Sequence, residues 1–159
     1  MEKQALKDAL LMSLDEEINA ALAAANEAQA TASHESNKPE NQYDTLALEA
    51  AYLAHGQSER ILQLQKTRIS LGRWQVPLFG ADEAIRMGAC VVLESEDGTV
   101  RRIFITPVGG HEIIVDTQPV LVVNQDAPVT RLLVGQHEGD EVSLTLGGKS
   151  ALWEIIAVS

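Results

Sequence analysis

Between Leu11 and Ala32 the apolar positions fall at Leu11, Leu14, Ile18, Ala21, Ala25, Ala28 and Ala32. Alternating steps of three and four residues form a coiled-coil seam, and Leu6 and Leu10 extend the stripe towards the N-terminus. No Gly or Pro precedes Pro39 and alanine is abundant, so helix propensity is high. A helix of about 30 residues is about 45 Å long, and its seam needs a partner. The partner stripe runs through Leu46, Ala50, Leu53 and Gln57, then Ile61, Leu64, Arg68 and Leu71. One extra step of four beside Gly56 marks a local change of supercoil. Between the stripes lies His34 to Asp44 with Pro39 at its centre, and a proline is tolerated in a helix's first turn but not in its middle. The chain therefore turns there. The pattern predicts two antiparallel helices over 2–33 and 42–71, joined at an exposed tip that carries three carboxylates, Glu35, Glu40 and Asp44.

At Gly72-Arg73-Trp74-Gln75-Val76-Pro77 the pattern changes. Gly72 suits a helix stop and Pro77 cannot continue one. Beyond it the apolar runs are short and bounded by turn residues. Strands are predicted over Gly88 to Leu93 and Val100 to Thr106, joined through Glu96-Asp97-Gly98-Thr99, where Asp-Gly supplies the positive φ of a tight hairpin. Gly109-Gly110 turns the chain again. Glu112 to Val115 reads as a short strand and Leu121 to Val123 as extended. Pro128 to Gly135 reads as a helix of one or two turns, with proline at its start and glycine at its stop. Val142 to Leu146 alternates, Gly147-Gly148 turns, and Ala151 to Val158 closes the chain. Trp153 reads as a core residue. The expected fold class is α+β: a coiled-coil hairpin over 1–72 with its acidic tip at 34–44, a linker over 73–81, and a small antiparallel sheet with one short helix over 82–159.

Charge narrows the function. The formal net charge is −11, with 11 acids against 5 bases in residues 1–66 and 12 against 7 in the remainder. Both halves are acidic, which argues against a general nucleic-acid surface and against direct sequence-specific DNA binding, because phosphate neutralisation needs Lys and Arg in excess. A basic protein surface or a metal ion remains a compatible partner. Cys90 is the only cysteine, so no intrachain disulfide or Cys-based zinc site forms, and within Ala89-Cys90-Val91-Val92-Leu93 it reads as a small buried hydrophobe. No apolar run has the length of a membrane span, the first residues lack a signal-peptide pattern, and a cytoplasmic location is expected. His34, His55, His111 and His137 are scattered, and no Ser/His/Asp constellation or phosphate loop is visible.

The order and spacing of Gly88-Ala89, the Pro128 to Gly135 helix, Gly139-Asp140-Glu141-Val142, Gly147-Gly148 and Trp153-Glu154-Ile155-Ile156 resemble the bacterial Gre family of transcript cleavage factors. In the N-terminal half the resemblance rests on the hairpin architecture and on Glu40-Asn41 near Tyr43. It implies a C-terminal domain similar to the FK506-binding-protein sheet, docked on RNA polymerase at the rim of the secondary channel. It also implies that Ala127, Pro128 and Val129 touch the rim, with Ala127 standing where the family usually has Ser. The coiled coil would enter the channel. Two tip acids spaced Asp-x-x-Glu-Asn would help hold a Mg²⁺ shared with the polymerase, which itself cuts backtracked RNA. Carboxylate oxygens suit Mg²⁺, and the metal generates the nucleophile.

The tip departs from that pattern. With Glu40-Asn41 placed on the family's Glu-Asn, the first acid falls on Asn37. With Arg60-Ile61 as the anchor, Glu40 takes the first acid's place and Tyr43 the second's. Glu40 survives in both. Asp44 lies one turn further on, and Glu35 is a weaker substitute. The expectation is thus a factor that binds RNA polymerase, holds no cofactor alone, is not itself an enzyme, and stimulates Mg²⁺-dependent cleavage through Glu40 and Asp44. The alternatives are a non-cleaving channel regulator or anti-Gre competitor, a self-associating coiled coil, and a peptidyl-prolyl isomerase. The last needs an aromatic pocket, and residues 82–159 offer only Phe104 and Trp153.

Overall fold

The structure, a computed structural model, describes residues 2–33, 45–80 and 82–159. Two long helices come first, α1 (Lys3–Ser33) and α2 (Thr45–Arg73). Strands β1 (Cys90–Ser95), β2 (Val100–Ile105), β3 (His111–Val115) and β4 (Gln118–Val123) follow. The short helix α3 (Pro128–Leu133) and strands β5 (Glu141–Leu146) and β6 (Lys149–Val158) complete the chain. The fold is α+β, as the patterning predicts. Among the described residues no helix is long and apolar enough to cross a membrane. Grouped by contacts, the chain forms two compact units: residues 11–73, and residues 1–10 together with 74–159.

The first unit is helical. Leu14 and Ile18 of α1 and Ile61, Leu64 and Leu71 of α2 are buried, with Gln57 and Arg68 half-buried between them. α2 runs through Gly56 without a break. Arg68 Nε donates to Asp15 Oδ1 at 2.8 Å, and the bond holds the Asp15 carboxyl below the usual carboxylate range. Asp15 lies in the first half of α1 and Arg68 near the end of α2, a pairing compatible with antiparallel helices. The side chains of Ala32, Leu46, Ala50 and Leu53 lie outside the described ones.

The α1 stripe differs from the expected heptad at its start. Leu6 and Leu10 are buried completely, whereas Leu11 is only half-buried. The reason is a change of neighbour: Leu6 and Leu10 pack in the second unit and Leu14 and Ile18 in the first. One face therefore does not have to serve the whole helix.

The second unit is built on a six-stranded sheet in the order β3-β4-β2-β1-β6-β5. It departs from the antiparallel sheet expected in one pair: β2 and β4 run parallel, through Ile103↔Leu121 and Ile105↔Val123. The cause is a second hairpin. Asp116 and Thr117 both adopt positive φ, 51° and 63°, and turn β3 directly into β4. β3 becomes the edge, and β4 returns alongside β2 in the same direction. The Asp97-Gly98 hairpin forms as expected, with Gly98 at φ 84° and Ser95 N–H donating to the Thr99 carbonyl at 2.9 Å.

Both faces of this sheet carry buried side chains within the unit. Val91 and Leu93 join Ile103, Ile105, Trp153 and Ile155 in one cluster, which also takes Leu133 of α3. The opposite parity, Cys90↔Phe104 and Phe104↔Val122, is buried just as completely. There the Trp74 ring sits 6.0 Å from the Phe104 ring. Lys3 Nζ donates to the Pro77 carbonyl, and Lys7 Nζ donates to the Trp74 carbonyl at 2.6 Å. Burial lowers the Lys3 ammonium to about 8. Burial also raises the Cys90 thiol, as suits the inert core cysteine expected from sequence.

Gly88 makes this packing possible. Its φ is +94°, and a Cβ added there would fall on the Pro77 ring. Gly88→Ala is expected to destabilise the second unit by about 2–5 kcal/mol, through backbone strain and overpacking together. Urea unfolding followed by the fluorescence of Trp74 and Trp153 checks it. A loss well below about 1 kcal/mol would mean that Pro77 does not press on the strand start.

Candidate docking loop

The segment from Asn124 to Val134 carries the described part of the candidate site. Val123 ends β4 in the sheet, and the chain must turn at once to lay α3 back over the core. Asn124 makes the turn. Its side-chain carbonyl accepts the Asp126 N–H at 3.0 Å, the local bond that lets Asn stand in for a backbone turn. Its backbone carbonyl accepts the hydroxyl of Thr130 at 2.6 Å and the Ala127 N–H at 3.4 Å. Gly109 clears room for this, because a Cβ there would lie 2.7 Å from the Asn124 nitrogen. Thr130 is buried although polar, and that hydrogen bond satisfies it.

Ala127 occupies the N-cap with extended φ −62° and ψ 140° and makes no side-chain capping bond. Pro128 takes the first helical position, where its missing N–H costs nothing. Ala127 and Val129 pack partly against the core cluster, while Pro128 is exposed. The three residues expected to dock are therefore contiguous but unequal: Pro128 presents its ring, and the other two fix its place. The far end of the segment is tied down too. Gly135 N–H donates to the Ile85 carbonyl at 2.9 Å, and Ile85 N–H donates to the Gln136 carbonyl at 2.8 Å.

On the same short segment Leu132 is 53% and Val134 48% exposed. Beside it lies an open groove of about 440 Å³ lined by Met87, Ile105, Asp126, Thr130 and Arg131 among others. Large exposed aliphatics beside a polar rim are the usual makeup of a protein-binding surface. Sequence reasoning singled out residues 127–129 but missed Asn124, Thr130, Leu132 and Val134. An Asn just before a Pro-started helix was the available signal for the first of these. The tip residues Glu35, Glu40 and Asp44, with Asn37 and Tyr43, lie outside the described residues. Among the described residues no group of three or more His, Cys, Asp or Glu side chains could hold a metal ion.

Comparison with known proteins places this loop in a familiar setting. The family described as "Transcription elongation factor, GreA/GreB, C-term" matches residues 80–159. The transcription elongation factor GreA of Sulfurovum sp. (strain NBC37-1) is 37% identical over 87 residues, which are 54% of this chain and 51% of that relative. The chain thus spans about half the length of this curated relative. Among solved structures, the GreA factor homolog 1 (Gfh1) of Thermus thermophilus is 19% identical over 94% of both chains with a TM-score of 0.41. A prokaryotic transcription elongation factor GreA/GreB from Nitrosomonas europaea is 18% identical over 60% of this chain and 78% of its own, with a TM-score of 0.37.

Thr130→Val is expected to cost about 1–2 kcal/mol, because it removes a buried donor and leaves the Asn124 carbonyl poorly matched. Thr130→Ser, which keeps the hydroxyl, is expected to recover most of that. Thermal unfolding of the two variants checks the order. No loss in Thr130→Val, or a larger loss in Thr130→Ser than in Thr130→Val, would remove the hydrogen bond as the loop's organiser.

Proposed function

The chain belongs to the GreA/GreB family of transcription elongation factors, and on that premise we propose that it docks on RNA polymerase at the rim of the secondary channel. The observation that carries this reading is the family match over residues 80–159, which contains the whole loop and the exposed Pro128. Leu132 and Val134, in the same segment, are exposed apolar side chains. The loop's internal hydrogen bonds keep it ordered before binding, which lowers the entropy cost of association. The helices α1 and α2 carry the tip into the channel, and the protein works where the polymerase does, in the bacterial cytoplasm.

In this reading Glu40 is the principal tip acid and Asp44 its partner, with Glu35 a weaker third. They share a Mg²⁺ with the polymerase, which carries out the cleavage of backtracked RNA; the factor is not itself an enzyme. Two carboxylates hold a divalent ion better than one, so each loss has a separate cost. A second reading, a channel occupant that does not support cleavage, is favoured by Asn37, which puts a neutral amide where one placement of the family's motif has an acid.

Pro128→Asp is expected to weaken polymerase binding by about tenfold or more, the effect of placing a charge in an apolar hot spot, and to leave the melting curve unchanged. Titration against purified bacterial polymerase checks it, and unchanged affinity removes this surface from the proposal. On stalled elongation complexes, Glu40→Ala is expected to abolish Mg²⁺-dependent RNA cleavage. Asp44→Ala should reduce it, and both variants should still bind. Cleavage by Glu40→Ala at the wild-type rate would overturn the tip assignment. Absence of cleavage in the wild type, with binding intact, would select the non-cleaving regulator.

A further inference from the structure

The face of the sheet that takes α3 is not covered over its whole area. At the end away from the docking loop, two hollows open side by side. The smaller, about 190 Å³, is lined by Ser95, Arg101, Leu146, Lys149, Ala151 and Trp153 among others. The larger, about 350 Å³, is lined by Ile103, Glu112, Pro119 and Leu121 and shares Arg101, Leu146 and Gly147 with the first. The register places Arg101 and Trp153 on one face, flanking β1: Arg101 pairs with Leu93 and Trp153 with Ser95. Neither hollow is lined by a residue of the segment from Asn124 to Val134.

The chemistry of the smaller hollow is one-sided. Trp153 is 3% exposed, and its buried indole N–H has no hydrogen-bond partner among the described residues. A buried donor left unpaired costs about 1–3 kcal/mol. Arg101 is exposed and has no hydrogen-bond or ion-pair partner among the described residues. The third cationic side chain, Lys149, is already engaged by Asp97 at 3.0 Å. Asp97 stays ionised there, because the Ser95 hydroxyl, the Thr99 donors and Lys149 hold its carboxyl well below the usual carboxylate range. So the residues lining the recess bring two unmet donors, one charged and one neutral, while Glu112 brings a carboxylate to the adjoining hollow. Next to it the second hollow has an apolar part in Ile103, Pro119 and Leu121, the last 37% exposed, with Arg102 and Glu112 also lining it.

We propose that this open end of the sheet is a second docking surface, one that takes a polypeptide segment presenting a single carboxylate side chain flanked by apolar ones. The carboxylate enters the smaller hollow and accepts hydrogen bonds from the Arg101 guanidinium and the Trp153 indole. Binding uncovers the indole N–H, which is buried in the free protein. The neighbouring apolar side chain fills the larger hollow against Ile103, Pro119 and Leu121. A guanidinium–carboxylate bond in a partly dry recess is stronger than a neutral one, and pairing the indole removes a penalty that the free protein carries. The surface is independent of the Pro128 loop, so this inference and the polymerase-docking reading stand or fall separately.

The test uses the full ¹⁵N-labelled chain and follows the Trp153 indole N–H resonance, assigned by its loss in Trp153→Phe. The probe is acetyl-Val-Glu-Leu-amide, with acetyl-Val-Gln-Leu-amide as its uncharged counterpart. A saturable shift of that resonance is expected with the Glu peptide. Binding about tenfold weaker or more is expected for the Gln peptide, and likewise for Arg101→Gln with the Glu peptide. Arg101 is exposed, so its variant should keep the wild-type spectrum otherwise. No shift up to the solubility of the peptide, equal binding of both peptides, or unchanged binding by Arg101→Gln overturns the proposal. A shift produced by oligouridylate and not by the Glu peptide also overturns it, in favour of a nucleic-acid ligand.

Discussion

The second unit depends on covering a sheet that is apolar on both faces. One face is served by α3 and the segment around Ile85. The other would expose Cys90, Phe104 and Val122, all buried, at about 25 cal/mol per Å² of apolar surface left in water. The first turns of α1 and the segment 74–79 supply the cover. Trp74 stacks near Phe104, and Lys3 and Lys7 tie two backbone carbonyls of that segment. Phe79 takes the Lys3 ammonium 4.2 Å from its ring centroid and the Arg86 guanidinium at 4.3 Å. The arrangement has a cost, since desolvation lowers Lys3 to about 8, but the carbonyl and the ring give the cation contacts in place of water.

That constraint explains what was and was not legible in the sequence. The long helices were, because a three-four stripe repeated many times has few readings. The Asp97-Gly98 hairpin was, because only a few residue pairs favour positive φ. The Asp116–Thr117 hairpin was not: neither residue is Gly or Asn, yet both adopt positive φ, and the pairing of β3 with β4 holds them there. The parallel β2–β4 pair was invisible for a related reason, since it follows from where that hairpin folds back and not from any local pattern. Residues 1–10 grouping with 74–159 could not be read either. A helical stripe says which residues seek burial, not which partner buries them.

The site divides in the same way. The helix start at Pro128 was legible because proline there is a local signal. Its supports were not, because they act across elements: Gly109 matters only through its approach to Asn124. Thr130 matters only because it bonds back to the Asn124 carbonyl. Arg101 and Trp153 are far apart in sequence and meet only through the register of β2 and β6 on β1. Spacing along the chain carries no trace of that meeting.

Ala127 shows how a lost contact can be tolerated. A Ser at this N-cap would bond a first-turn amide, a contribution of about 0.5–2 kcal/mol that alanine lacks. A loop held mainly by that cap would loosen around Pro128. Here the order comes from elsewhere: Asn124 closes the turn through its side chain, Thr130 pins the helix to the Asn124 carbonyl, and the Ala127 methyl packs towards the core cluster. The backbone entering α3 is thus fixed before Pro128 without a capping hydroxyl. What Ala127 gives up is a capping hydroxyl, not the loop's shape. The docking surface proposed for this segment therefore relies on shape and apolar contact, through the Pro128 ring, Leu132 and Val134, more than on hydrogen bonding.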